Sequence, residues 1–471
     1  MRMNKVKVLI TLMIGTSMAA IDSSIVNVSL PVIQRKFGVE VDEVSLVITA
    51  YMITFLLFIP LTNWFKNRIG YYYLYIVSII LFTLGSLLCS LSGSLTMLVL
   101  ARVVQAIGGG AIAPVSLGIL SESFPEKERG SAIGWWGIGN VMGPALGPTL
   151  GGVLTQYLGW ESIFYVNIPI GVVAVAMAVR YLGFLKAWPR YTPPFDIKGY
   201  VLFVGFVVLL QWTLTSAGAS HGFLSWQFIG GVLVTLLLFR LFILSARRPQ
   251  PLLDLSVFRI AGFNRAFIIV AIRSLALFGG MFFLPFLLQG LLGYTEIESA
   301  LLILPNALIM LVTRPAAGKM ADKGMIRNIS LAGILLVSAS FFLFARIHIG
   351  TTIWFIILAM LVRGLGISFL IAPVSTALLN SVERSQTATA TSLNSLMLQL
   401  GGSVGIAISG AMHSYIYNHY LQRGYNTQLA EHFALQDGFL FTAVLILLAL
   451  IPAAKLPQRA EKPLRDKEAL G

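Results

Sequence analysis

Charge is scarce in this chain of 471 residues. Asp, Glu, Lys and Arg make up 11% of it, hydrophobic residues make up 57%, and the mean hydropathy is +0.85. A soluble domain carries about 25% charge, so the composition excludes a water-exposed globule and implies a protein that crosses a membrane many times. Cysteine is nearly absent: Cys89 alone, in an apolar run, leaves no disulfide framework and no thiolate metal site to expect. Nothing has the spacing of a Walker loop, a catalytic triad, a zinc site or a dinucleotide fingerprint, so an ATP-driven pump and an enzyme are both disfavoured. No metal and no organic cofactor is expected. No soluble signalling domain is visible either, which counts against a receptor or sensor.

What is present is a series of long apolar runs. Fourteen segments between residues 8 and 454 are long enough to span, given that a bilayer core takes ~20 helical residues. The start, MRMNKVK followed by an apolar run and SMAA, resembles a secretory signal peptide. The run continues through IDSSIVNVSLPVI, however, and reads as a retained first span. The net charge of +14 comes from basic residues scattered between the runs, not gathered on one polar domain. They read as topology signals, with no nucleic-acid partner implied. Alternate loops carry Lys66 and Arg68, Lys127 and Arg129, Lys186 and Arg190, Arg247 and Arg248, Lys319 and Lys323, and Arg384. The other loops carry little beyond Arg35, Lys36, Arg346 and Arg423. This bias predicts a multi-pass protein of the cytoplasmic (inner) membrane with both termini inside.

An internal echo predicts the architecture. IAPVS at 112–116 recurs at 371–375, an offset of 259 residues, each time following an intramembrane arginine, Arg102 or Arg363. NWFKNRIG at 63 and GKMADKGM at 318 echo at a similar offset. The fourth span therefore corresponds to the twelfth, and two helices are inserted between six-helix halves. The expected fold class is all-α: two six-helix bundles, 1–187 and 262–457, an inserted helical pair within 188–261, and a cytoplasmic tail at 458–471. Parallel halves of this kind place a transport site near the bilayer midplane.

Asp22 is the only carboxylate well inside a predicted span. An intramembrane acid costs ~3 kcal/mol or more and normally faces a water-filled cavity with a function. The plainer reading is an acid that reaches water or bonds Ser23, Ser24 or Asn27. An acid at that depth that binds and releases a proton is what a proton-coupled carrier requires. Arg102 needs a carboxylate, carbonyls or water at its depth. It either pairs with Asp22 as a switch between states or packs on polar neighbours such as Gln105. Arg273, Arg314 and Arg363 raise the same question in the second half. Asn27, Gln105, Arg273, Arg363, Asn394 and Gln399 are candidates to line a substrate cavity, although polar groups such as Asn394 and Gln399 commonly just bridge helices. His413 and His419 read as solvated.

Between Gly134 and Gly152 the chain reads GWWGIGNVMGPALGPTLGG, with Gly139, Gly143, Gly147 and Gly151 every fourth residue. That spacing lines one face of a membrane helix with glycines and lets a neighbouring backbone approach. Gly134, Gly143, Gly147, Pro148, Gly151 and Gly152 match every fixed position of the fifth-helix antiporter motif of the major facilitator superfamily. The whole chain resembles the fourteen-span drug:proton antiporters of that superfamily, the EmrB/QacA type. Asp22, Asn27, Val28, Leu30 and Pro31 are similar to the first-helix motif, and Arg102, Gln105, Gly108 and Gly109 to the fourth-helix motif. Trp160, NIPIG at 167–171, Asp196 and PLLDLSVF at 251–258 are in the same style.

The resemblance implies proton-coupled export, by alternating access, of hydrophobic or cationic drugs and toxic amphiphiles. The same scaffold also suits a dedicated exporter of one metabolite, lipid or siderophore. In the family the loop after the second span latches the bundles through an acid. Here Asn63 and Asn67 stand at the usual glycine and aspartate, Tyr71 and Tyr72 follow Gly70, and only Arg68 and Gly70 survive. The resemblance therefore moves the latch to Asp322 or weakens it. The partners expected are the lipid bilayer, the small substrate and, through an amphipathic outside loop from Tyr417 to Asp437, a periplasmic adaptor protein.

Overall fold

The computed structural model describes residues 5–124, 126–187, 194–216, 225–247, 251–383 and 386–458. Of the residues singled out above, Arg190, Arg248, Arg384 and the tail beyond Gln458 lie outside the described residues, as does the linker at 188–193, and Asn63, Lys127, Arg129, Gly134, Gly139, Pro144 and Asp322 are described by their backbone alone.

The described residues form an all-α protein. The first half holds α1 (Lys5–Phe37), α2 (Val41–Thr62), α3 (Trp64–Ser90), α4 (Leu95–Ser123), α5 (Glu126–Leu158) and α6 (Ser162–Tyr181). Next come α7 (Ile197–Ser216) and α8 (Trp226–Ser245). The remainder is α9 (Ala261–Leu291), α10 (Glu296–Met320), α11 (Ile326–Ala345), α12 (Ile353–Asn380), α13 (Thr387–Gln422) and α14 (Thr427–Leu447). Thirteen of them are long and apolar enough, over their described residues, to cross a membrane. The other is α5, a helix of 33 residues. Helices are what such runs must form, because hydrocarbon offers no partner for an exposed peptide group.

Polar residues start and stop the helices. Glu40 and Glu43 close a reciprocal cap on α2, and the Ser94 hydroxyl accepts from Met97 N at 3.2 Å on α4. Gly70, at φ 82°, interrupts the first turns of α3, and Gly324, at φ 86°, breaks the chain between α10 and α11, each in a backbone conformation that favours glycine. The two breaks stand at equivalent points of the internal echo.

The helices pack into two compact units. One holds α1–α6 together with Tyr294–Ala300, and the other holds α7–α9 and α10–α14 from Leu301 onward. In the first unit α1 packs on α5, α6 and α4; α3 and α4 pack together; and α6 lies on α3, where Gly171 meets Thr83. In the second unit α9 packs on α13, α14 and α12; α11 packs on α12; and α14 lies on α11. Pairing therefore repeats helix for helix. The inserted α7 and α8 pack on each other, and α7 lies on α13, where Ser403 Oγ donates to Gln211 Oε1 at 2.9 Å. Much of α8 turns outward: Leu233, Val234, Leu236 and Leu237 are exposed, as lipid-facing side chains are.

Two expectations at the outer end of α13 change. The segment 417–437, expected as an outside loop with a short surface helix, instead belongs to two long helices: α13 runs to Gln422, Gly424 turns the chain at φ 87°, and α14 resumes at Thr427 with the Asn426 side chain as its cap. His413 is not solvated either. It is 2% exposed, among Phe283, Phe286 and Tyr417, with Nε2 3.1 Å from Glu431 Oε1. The partner comes from the next helix, so no spacing along α13 announces it.

Candidate functional site

Five helices of the first unit converge on Asp22. The acid is 0% exposed, and Arg102 of α4 is 1% exposed beside it, with Nη1 2.7 Å from Asp22 Oδ2. Asp22 Oδ1 accepts from Gln105 Nε2 at 2.8 Å and from Asn167 Nδ2 of α6 at 2.8 Å. The same Gln105 amide donates to Ser86 Oγ of α3 at 2.7 Å, and Gln105 Oε1 accepts from Arg102 Nη1. Arg102 Nε donates to the Val47 carbonyl of α2 at 3.1 Å. The guanidinium lies 4.0 Å over the Tyr51 ring and 5.7 Å from the Phe164 ring. Tyr51 presents its face to the cation, and its hydroxyl has no hydrogen-bond partner.

Helix spacing explains the convergence. Arg102 and Gln105 sit three residues apart and so share one face of α4. Gly85 lets α3 and α4 close up at this level, since a methyl there would lie 2.5 Å from Gln105 N. A buried ion pair of this kind survives only with its remaining lone pairs and protons satisfied, and removing one partner costs ~3–5 kcal/mol. Here the three side-chain atoms that reach the carboxylate, Arg102 Nη1, Gln105 Nε2 and Asn167 Nδ2, are all donors. A proton on Oδ1, which already accepts two bonds, would displace a donor, and a proton on Oδ2 would cancel the charge that Arg102 meets.

Arg102 both pairs with Asp22 and packs on Gln105, which bridges it to the acid. Gln105 is fully committed to this cluster and does not line a cavity. Asn27 is not a partner of Asp22; its amide reaches only Ser23 O and Ser24 O, each at 3.5 Å. Asp22 itself is sealed where an open cavity was expected. Sequence reasoning misses Asn167, Tyr51 and Ser86. Only Asn167 carries a signal, because it opens the NIPIG run. Asn167→Ala removes one of two donors at Oδ1. A hydrogen bond to a charged group is worth ~1.5–3 kcal/mol, so the variant should lose about that much stability against thermal unfolding. An unchanged melting temperature would show that the third donor is dispensable.

The glycine face of α5 lies on α1. A methyl on Gly143 would overlap the Ala20 carbonyl, one on Gly147 would overlap Ser24 Oγ, and one on Gly151 would lie 2.7 Å from Ile25 O. Ser24 Oγ in turn donates to Gly143 O at 2.7 Å. Pro148 is buried, and Gly152 faces Glu296 O and Ala300 Cβ within the same unit. This contact fixes α1 one turn either side of Asp22.

Near the start of α3 the Arg68 guanidinium stacks 5.0 Å from the Trp64 ring centroid. Tyr71 and Tyr72, which follow Gly70, are buried core residues. Tyr71 fills the space beside Gly118, and Lys186 sits 5.1 Å over Tyr72. In the second unit Arg273 and Arg363 are buried, Arg314 and Gln399 are half-buried, and the half-buried Asn394 has an unpartnered Oδ1. Among the described residues no group of His, Cys, Asp and Glu has the makings of a metal site.

The sequence profile of the Major Facilitator Superfamily matches residues 12–406. The chain belongs to that superfamily. It is 30% identical over 432 residues to the multidrug export protein EmrB of Haemophilus influenzae, covering 90% of this chain and 82% of that one. It is 29% identical over 379 residues to the riboflavin transporter RibZ of Clostridioides difficile, covering 80% of this chain and 81% of the relative. Its fold matches that of a bacterial homologue of the human lysosomal transporter Spinster in an inward-facing conformation. The TM-score there is 0.67 at 17% identity, covering 96% of each chain.

Proposed function

We propose that this protein exports drugs and other toxic amphiphiles across the cytoplasmic membrane in exchange for protons, by alternating access. The observation that carries the reading is a fully buried carboxylate, Asp22, held by three side-chain donors from two other helices. Protonation of Asp22 cancels the charge that binds Arg102 and turns an acceptor into a donor. Arg102 then falls back on Gln105, the Val47 carbonyl and the Tyr51 ring, and the ties from α1 to α4 and α6 loosen. Loss of the proton restores them. One titration is thereby coupled to the fit of several helices, while the α1–α5 glycine contact keeps α1 in register. The multidrug names of EmrB and several other relatives support the substrate class. In this reading the protein is a carrier and not an enzyme, the proton is its only coupling ion, and no nucleic acid is a partner.

The riboflavin transporter among the relatives favours a second reading, export of a single metabolite. Transport into inverted vesicles with an imposed pH gradient separates the two. Uptake of several unrelated dyes supports the first reading, and uptake of one compound only supports the second.

Both termini lie inside in this reading. The functional division is two six-helix bundles, 1–187 and 262–457, with the inserted pair beside them and a tail at 458–471. Arg68, Gly70 and Asp322 belong to the gating loops of their own units in this reading, and the outer turn at 423–426 is where a periplasmic adaptor would dock in a host with an outer membrane. On a Cys89→Ser background, Arg423→Cys should react with an impermeant maleimide in intact cells and Lys323→Cys only in inverted vesicles. Labelling of both from one side contradicts this topology.

A further inference from the structure

α8 carries a single charged residue, Arg240, and it faces lipid. Trp226, 80% exposed, opens the helix as interfacial tryptophans do. Arg240 follows fourteen residues later, ~21 Å of helix rise, so a hydrocarbon core of ~30 Å that begins at Trp226 extends ~9 Å beyond it. The side chain is exposed, and so are Leu236, Leu237, Leu241 and Leu244 around it.

Contacts with α7 fix which face this is. Phe203 meets Phe242 at 5.4 Å between ring centroids, Phe206 meets Phe239 at 5.0 Å, and a methyl on Gly231 would lie 2.5 Å from Thr213 Oγ1. Arg240 stands ~160° around the helix from Phe242, on the side turned away from α7. Arg247, two turns further along, returns to the same face just past the end of α8 and is exposed. The two ring pairs run antiparallel, which brings Lys198, exposed at the start of α7, level with Arg247.

Among the described residues, none of these three cations has a hydrogen bond, ion pair or ring contact. Of the acids that flank the helical pair in sequence, Asp254 accepts from Ser256 N at 2.9 Å, and Asp196 is half-buried on the approach to α7. A guanidinium does not shed its proton, so inside the hydrocarbon region it needs an opposite charge or a set of acceptors. The protein gives Arg102 both, through Asp22, Gln105 and the Val47 carbonyl. It gives Arg240 neither, and the counter-charge must come from the lipid side.

We propose that Arg240 and Arg247, with Lys198 at the same rim, hold the phosphate of an anionic phospholipid such as phosphatidylglycerol against α8. Headgroup phosphates lie at the edge of the core, within reach of a long side chain and a local thinning of the bilayer. Basic groups at that edge attract anionic lipid. A free phosphate ion shares the charge, but it has no acyl chains to lay on Leu236, Leu237, Leu241 and Leu244. Because α8 packs chiefly on α7, the bound lipid also fixes its depth in the membrane.

The test uses the full-length protein in detergent, supplied with phosphatidylglycerol or phosphatidylcholine of identical acyl chains. Retained lipid is counted by native mass spectrometry, and unfolding is followed by fluorescence. At equal mole fraction phosphatidylglycerol should be retained at least about tenfold better, the scale of one charge-assisted hydrogen bond, and should raise the melting temperature. Arg240→Leu matches its lipid-facing neighbours and should erase both effects. An unchanged melting temperature in phosphatidylcholine reports that this variant is folded. Arg240→Lys, which keeps the charge, should retain part of the preference. Equal retention of the two lipids, or a preference that survives Arg240→Leu, would overturn the proposal. So would an equal, Arg240-dependent stabilisation by sodium phosphate, which assigns the residues to a free anion. An Arg240-dependent dimer without retained lipid would overturn it as well, by giving this face to a second copy of the chain.

Discussion

Asp22→Asn is expected to insert and fold yet lose export driven by a pH gradient, down to the background of empty vesicles, whereas Asp22→Glu keeps part of it. Asparagine preserves the size of the side chain but cannot take up or release a proton. It also cannot reproduce the acceptor pattern. Oδ2 faces Arg102 Nη1 at 2.7 Å, while Oδ1 faces Gln105 Nε2 and Asn167 Nδ2, each at 2.8 Å. An amide NH2 at either position meets a donor, so the variant resembles one protonation state permanently and should also lose ~1–3 kcal/mol of stability. Glutamate keeps the charge and the titration but must fit one more methylene into a site with no exposed surface. Wild-type pumping by the asparagine variant would move coupling to another acid, such as Glu298 or Asp322.

Gly147→Leu is expected to abolish transport while leaving membrane insertion intact. A methyl at this position already overlaps Ser24 Oγ and comes within 2.9 Å of Ser24 Cβ. The conflict is not confined to a flexible tip, because Ser24 Oγ is held by Gly143 O at 2.7 Å and Ile25 N lies 3.2 Å from the added carbon. Leucine must therefore push α5 off α1, two residues from Asp22. Its hydrophobicity favours insertion, so the loss should be seen in transport and not in membrane yield. Gly147→Ala should fall between. Normal transport by the leucine variant would show that these helices part without consequence.

Much of this was legible in the sequence because a bilayer imposes strict rules. Span length, loop charge and the repeated IAPVS point to the helices, and the pairing of α9–α14 repeats that of α1–α6 as the echo requires. Asp22 and Arg102 stand out because ionised groups are rare at that depth. Their mutual contact does not, since it joins residues 80 apart through a packing arrangement that no local spacing encodes. Asn167, Tyr51 and Ser86 are hidden for the same reason: an amide, a phenol and a hydroxyl are ordinary in a membrane helix until a charge is placed beside them. His413 reads wrongly from sequence because Glu431 reaches it from the next helix.

The most direct test of proton coupling at Asp22 is a count of protons released when substrate binds. Purified protein in weakly buffered detergent solution, at a series of starting pH values, is mixed with a transported dye while a pH indicator is followed. The account predicts proton release from the wild type that saturates with the dye and is absent in Asp22→Asn, although that variant still binds the dye. Equal release from both proteins would contradict it.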